Sequence, residues 1–285
     1  TLTTSSAASD VYKRQEATPE SLSGMLYRGG TALGSSRSKR FFEYEFRKQA
    51  FDNLQKFEIS KLIIIGGDGS FNALNQFYVD FKVPFAGIPA TIDNDISGTD
   101  YCLGVDTALN MIRSSVDSIR DTASSFSRAF VIETMGRDCG YLAMVSALAN
   151  GAEVCLVPEI KYDLDTVGER LRQQRAAGKR YVLGIVAEGT GMAEPLTRWM
   201  GDFLDMDARL TVLGHVQRGG SPTVYDRIMA YKFAVAAVDH LLAGDTNRVV
   251  TFRNGRFGSS SIHQISENKH ECEATLLDLV RGLSC

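Results

Sequence analysis

The chain's 285 residues suffice for one large domain or two smaller ones, and 44% hydrophobic with 23% charged residues is the balance of a water-soluble globular protein. A formal charge of -3 excludes the broad basic field of a nucleic-acid binder, and no apolar run nears the roughly 20 residues a membrane span needs. Cys102, Cys139, Cys155, Cys272 and Cys285 are scattered without a C-x-x-C pair, which reads as free thiols in a reducing cytoplasm rather than a disulfide framework or a zinc site.

In chain order, residues 1–15 are rich in Ser, Thr and Ala, with no helical or strand period and no apolar signal region. They read as a disordered or non-native leader. Thr18-Pro19-Glu20-Ser21 has the form of a helix start, with Thr18 as cap and Pro19 in the first turn. A polar glycine loop over 28–37 follows and ends on Arg37. Apolar residues at Phe46, Ala50, Phe51, Leu54 and Phe57 recur at the helix period and predict a helix over 42–57. Strands are then predicted at 61–65, 84–88, 129–133, 152–157, 181–187, 209–214 and 249–252, with helices at 71–78, 107–119, 140–149, 164–176 and 225–242 between them. This alternation predicts an α/β fold: two Rossmann-like parallel-sheet lobes with helices on both faces and the active site in the cleft between them. The first lobe is expected over 16–104 plus 217–267, the second over 105–216 plus 268–285. The chain crosses back near 214–220 because the 249–252 strand needs a sheet to join.

Open parallel sheets bind ligands beyond the carboxyl ends of their strands, and every polar motif here follows a predicted strand. Gly66-Gly67-Asp68-Gly69-Ser70 lets backbone N–H groups approach phosphate oxygens, with Asp68 able to hold Mg²⁺; tight strand-to-helix packing would use the same glycines. Thr91-Ile92-Asp93-Asn94-Asp95 offers one carboxylate to take a hydroxyl proton and a second to tune it, although an Asx turn would account for the same residues. Arg137, in Met135-Gly136-Arg137, can neutralise an anion, and Glu188 can accept from sugar hydroxyls. His215 and Arg218 sit among glycines that let a phosphate come close. Acids for a metal and a base, with arginines for a second phosphate, describe phosphoryl transfer to a phosphorylated, sugar-like acceptor.

Together, the segments 66–70, 87–104, 133–140 and 212–227 resemble the bacterial-type ATP-dependent 6-phosphofructokinase family, in motif order and spacing. The resemblance implies that Asp93 deprotonates the 1-hydroxyl of fructose 6-phosphate, that Thr91 lies against the transferred phosphoryl group, and that Arg137 stabilises it. It ties Asp68 and Asp95 to Mg²⁺, and assigns Arg37, Gly67, Asp68, Gly69 and Ser70 to the nucleotide. Met135, Gly136 and Glu188 would line the sugar, and His215 and Arg218 would bind its 6-phosphate. Arg128 and Arg209 would reach across to a neighbouring subunit's substrate in a homotetramer, and Arg120, Glu159 and Lys179 would belong to the allosteric effector site.

Pyrophosphate-dependent members usually carry Asp where Gly69 stands and Lys where Ala90 stands, so the resemblance favours ATP. A pyrophosphate-dependent fructose 6-phosphate phosphotransferase and a non-catalytic sugar-phosphate-binding subunit are the alternative readings. Lipid and NAD kinases share the Gly-Gly-Asp-Gly turn without the other motifs. The family's opening strand and glycine loop have no counterpart before Thr18, so the expectation is an N-terminally truncated chain whose first lobe is incomplete, with an open sheet edge and poor or no catalysis.

Overall fold

The computed structural model describes residues 38–268 and 270–284, and before them 22–32 with the isolated positions 3–4, 15–16, 18, 20 and 34–35. The chain divides into two compact units: residues 1–91, 96–103 and 221–269 form the first, and residues 92–95, 104–220 and 270–285 the second.

In the first unit, β1 (Thr3–Thr4) and β2 (Gln15–Glu16) make a short antiparallel ladder that runs from the stretch read as a leader, residues 1–15, to Glu16 just past its end. The helix expected from Thr18 is reduced to a succession of turns through Arg28, and Pro19 and Ser21 lie outside the described residues. A helical nucleus is costly without an apolar face to bury, and Leu22, Leu26 and Tyr27 are all exposed. The predicted 42–57 helix is α1 (Tyr44–Lys56), which buries Ala50 and Leu54 with Phe77 and Val83. Phe51 stacks on Phe81 of α2 (Asp68–Phe81) at 4.8 Å.

The sheet of this unit contains β3 (Leu62–Gly66), β4 (Phe85–Pro89), β9 (Arg248–Arg253) and β10 (Arg256–Ser261), in the order β10-β9-β4-β3. The β3–β4 and β4–β9 pairs are parallel; β10 adds an antiparallel edge that the sequence reading leaves out. Asn254 and Gly255, with φ +51° and +74°, make the tight β9–β10 turn, a pairing strongly favoured in two-residue hairpins. β4 is buried along its whole length, as a central parallel strand should be, while β3 lies on the sheet edge with Ile63 and Ile65 exposed. α7 (Val224–Ala243) and α8 (Ile262–Glu267), the latter started by a Ser261–Gln264 capping box, complete the unit.

The second unit is built on an all-parallel sheet in the order β6-β7-β5-β8: β5 (Ala129–Thr134), β6 (Val154–Leu156), β7 (Val182–Ala187) and β8 (Ala208–Val212). Its helices are α3 (Val105–Phe126), α4 (Tyr141–Asn150), α5 (Leu164–Ala176), α6 (Ala193–Leu204) and α9 (Ala274–Ser284). One face of the sheet packs Val131, Leu156 and Val186 against Val167 and Leu171 of α5 and Leu196 and Met200 of α6. Among the described residues no helix is long and apolar enough to cross a membrane.

Candidate active site

Because β7, β5 and β8 are neighbours, with Thr134 level with Ala187 and Glu133 level with Val212, the segments that follow them leave the sheet side by side. Met135-Gly136-Arg137 follows β5, a 3-10 turn at Glu188–Thr190 follows β7, and a second 3-10 turn at Gly214–Arg218 lies just past β8. Two side chains tie these strand ends together. Glu188 Oε1 accepts from the N–H groups of Gly136 (3.2 Å) and Arg137 (2.9 Å). Gln217 Oε1 accepts from Met135 N–H (3.2 Å), while its Nε2 donates to the Gly214 carbonyl (3.0 Å).

Glu188, expected to meet sugar hydroxyls, therefore has one carboxylate oxygen committed to the loop that carries Arg137. Gln217, only 1% exposed, is a positioning residue the sequence reading passes over. Its signal was its place between His215 and Arg218: in a 3-10 turn, residues so spaced point different ways, and His215 and Arg218 are exposed.

The loop also depends on two glycines. Gly136 has φ +139°, and a Cβ there would overlap the Cys139 carbonyl; a Cβ on Gly189 would overlap the Arg137 carbonyl. Gly189→Ala is expected to lower stability by about 1–3 kcal/mol through this overpacking, read as a fall in the thermal unfolding midpoint. An unchanged midpoint would mean that the loop yields freely.

In the first unit, Ala90 N–H donates to the Gly66 carbonyl (2.9 Å), joining the ends of β3 and β4. Thr91 belongs to this unit and 92–95 to the second. The chain turns at Ile92 and Asp93, and Asn94 takes the left-handed conformation with φ +53° that its short amide tolerates. Asp93 is 4% exposed, with Oδ2 3.6 Å from Arg137 Nε. Burial, then the neighbouring Asp95 charge, raises the Asp93 carboxyl above its ordinary range, while Arg137 and Arg218 pull it back down. Asp95 Oδ1 is buried with no hydrogen-bond partner among the described residues, and such an orphaned carboxylate oxygen suits a cation.

α2 begins three residues earlier than predicted, so Asp68, Gly69 and Ser70 occupy a helix first turn capped by Gly67. Asp68 is exposed there, and its Oδ2 accepts from Asn72 Nδ2 at 2.9 Å. Asp68 and Asp95 each offer hard oxygen donors of the kind Mg²⁺ takes. A Cβ on Gly69 would meet nothing within 4 Å. A helical glycine costs about 1 kcal/mol relative to alanine, and local packing gives no reason for it. A Cβ on Gly67, in contrast, would sit 3.3 Å from Thr91 Cβ. Arg37 lies outside the described residues.

Away from this platform, Arg128 and Arg209 both pair with Asp207, at 2.8 and 3.0 Å, and Arg128 lies 4.5 Å from the Phe126 ring. Parallel pairing of Ala129 with Ala208 brings them together. The expected effector residues are engaged separately. Glu159 Oε1 accepts from Gly140 N–H (2.7 Å) at the start of α4, and Arg120 donates to the Asn150 carbonyl at its end. Those ends are about 15 Å apart by helix rise. Lys179 pairs with the buried Glu153 and lines an open cavity of about 690 Å³ with Ser124, Ser125, Arg180 and Tyr181. The described cysteines, Cys102, Cys139, Cys155 and Cys272, form no disulfide with one another, and burial pushes the Cys155 thiol up to about 12.

The phosphofructokinase family model matches residues 6–241. The chain is 51% identical over 271 residues to the ATP-dependent 6-phosphofructokinase of Wolinella succinogenes, covering 94% of this chain and 83% of that one. It is 49% identical over 270 residues to the enzyme of the same name from Sulfurimonas denitrificans, covering 94% and 85%. Among solved structures, the T-state phosphofructokinase of Pichia pastoris superposes with a TM-score of 0.83 at 31% identity, over 89% of this chain and 32% of the Pichia chain. The chain belongs to the phosphofructokinase family.

Proposed function

We propose that this chain transfers the terminal phosphoryl group of ATP to the 1-hydroxyl of fructose 6-phosphate, the glycolytic reaction giving fructose 1,6-bisphosphate, in the cytoplasm. The observation that carries the reading is Asp93: a buried carboxylate beside Arg137, on a platform of strand ends that also presents His215 and Arg218. Asp93 takes the proton of the attacking hydroxyl, and Arg137 faces the charge that develops on the phosphoryl group. His215 and Arg218 hold the sugar's 6-phosphate, and Met135, Gly136 and the free side of Glu188 orient the ring. Thr91 lies against the phosphoryl group, and the first turn of α2, with Gly67, Asp68, Gly69 and Ser70, receives the donor phosphates. Asp68 and Asp95 would hold Mg²⁺, which when bound neutralises phosphate charge.

ATP is the donor because Gly69 leaves open room where a longer side chain would intrude, and Ala90 offers no cation to a pyrophosphate. The names of the relatives support the same donor. Arg128 and Arg209, gathered on Asp207, are assigned to the substrate of a neighbouring subunit in a homotetramer. Arg120, Glu159 and Lys179 are assigned to the effector site. The test is turnover of fructose 6-phosphate by the purified chain with MgATP and, separately, with magnesium pyrophosphate. The expected result is product with ATP alone, at a low rate in keeping with the poor catalysis expected from the sequence; turnover at an ordinary kinase rate would overturn that expectation. Product with pyrophosphate alone overturns the donor assignment; calorimetric binding of fructose 6-phosphate without turnover by either donor favours the non-catalytic binding subunit.

A further inference from the structure

Cys139, His270 and Cys272 come together in the second unit, where one ligand atom from each lies within 4.8 Å of the others. Cys139 belongs to the loop between β5 and α4; His270 and Cys272 belong to the segment that leads into α9. Cys139 is buried and the other two are half-buried, a setting that admits an ion while shielding it from bulk water. Beside them, Glu159 Oε1 stands 3.5 Å from Cys272 Sγ and is itself held by Gly140 N–H.

We propose that Cys139, His270 and Cys272 bind a zinc-type divalent transition metal, with the fourth position taken by a water that donates to Glu159. Two thiolates and an imidazole form a borderline-soft donor set that selects such a metal over Mg²⁺, which prefers oxygen. In a tetrahedral site with Zn–S near 2.3 Å and Zn–N near 2.0 Å, ligand atoms are about 3.5–3.8 Å apart. The three side chains need to close by roughly an ångström, which rotamer adjustment of the two half-buried residues can supply. Both thiols release their protons to solvent as they ligate.

The site would clamp the catalytic platform from behind. Cys139 N–H donates to the Gly136 carbonyl (2.9 Å), and its thiol points at the Asn94 carbonyl (4.0 Å). A metal on Cys139 therefore steadies the loop of Arg137 through the Cys139 backbone and fastens it to the segment entering α9, while the Asn94 carbonyl gives up the thiol proton.

The test uses the full, reduced, metal-stripped chain titrated with Co²⁺ and then with Zn²⁺. One equivalent of Co²⁺ is expected to give intense tetrahedral visible bands and a near-ultraviolet thiolate charge-transfer band, both bleached by Zn²⁺. Cys272→Ser and His270→Ala should each weaken Zn²⁺ binding by more than the roughly 10–100-fold that loss of an outer partner costs, while the circular dichroism of the chain is kept. A weak octahedral Co²⁺ spectrum, or Zn²⁺ affinity unchanged in both variants, overturns the proposal. So does a Cys139–Cys272 disulfide, found by mass spectrometry, that persists in the reduced chain in place of metal binding.

Discussion

Asp93→Asn is expected to cut kcat by roughly 10²–10⁴-fold, the range for loss of a general base, while leaving the folded protein at least as stable. The two halves of this expectation have one cause. Burial and the Asp95 charge raise the Asp93 carboxyl above its ordinary value of 3.8, so folding favours its protonated form. A carboxyl raised in this way contributes stability below its unfolded value and loses it as pH rises through the folded one. At neutral pH the ionised Asp93 is a net cost to the fold, and the neutral amide removes that cost while removing the base. The check is kcat with both substrates saturating, alongside the thermal unfolding midpoint at pH 7. A midpoint that falls with the activity would instead make Asp93 a structural anchor for Arg137. In the unsubstituted protein the acid limb of kcat/KM should lie above the ordinary aspartate range, because the base must be ionised to act.

Most of the alternating architecture was legible in the sequence because parallel strands are nearly continuous apolar runs, and helices between them show their own period. The predicted 164–176 helix coincides with α5, which Asp163 caps by accepting from the N–H groups of Asp165 and Thr166. α6 was passed over even though Ala193, Leu196, Trp199, Met200, Phe203 and Leu204 repeat at helical spacing; Pro195 sits in its first turn, where the ring costs no hydrogen bond. β10 was missed because Gly258-Ser259-Ser260-Ser261 lacks strand-forming side chains and is held by its register with β9, although Asn254-Gly255 announced the hairpin.

The candidate site was legible wherever chemistry sits at a strand end. What remained hidden was how its residues hold one another. That Glu188 and Gln217 tie three strand ends follows from the order β7-β5-β8, which no local pattern carries. The same limit hid the approach of Arg128 to Asp207 and of Cys139 to the distant His270 and Cys272.

Arg137→Ala is expected to lower kcat by roughly 10²–10³-fold, as removal of one preorganised donor to a charged transition state does, and to move the acid limb of the pH profile upward. Arg137 is one of two arginines holding the Asp93 carboxyl down, the other being Arg218, so its removal leaves burial and Asp95 less opposed. The direction of that movement separates the proposed role from a purely steric one, because loss of shape alone would reduce the rate without moving the limb. Arg137→Lys should restore most of the pH position, since a cation returns near Asp93, but only part of kcat. A lysine ammonium cannot present the flat, forked set of donors that a guanidinium offers to phosphoryl oxygens. The backbone at this position adds a second constraint: φ is +52°, a conformation that costs a residue with a side chain about 1–2 kcal/mol. Glu188 holds the loop through the N–H groups of Gly136 and Arg137, whatever side chain stands at position 137, so neither variant should disturb the backbone. An acid limb that stays in place in Arg137→Ala would separate Arg137 from the titration of Asp93 and leave it as a phosphate contact alone.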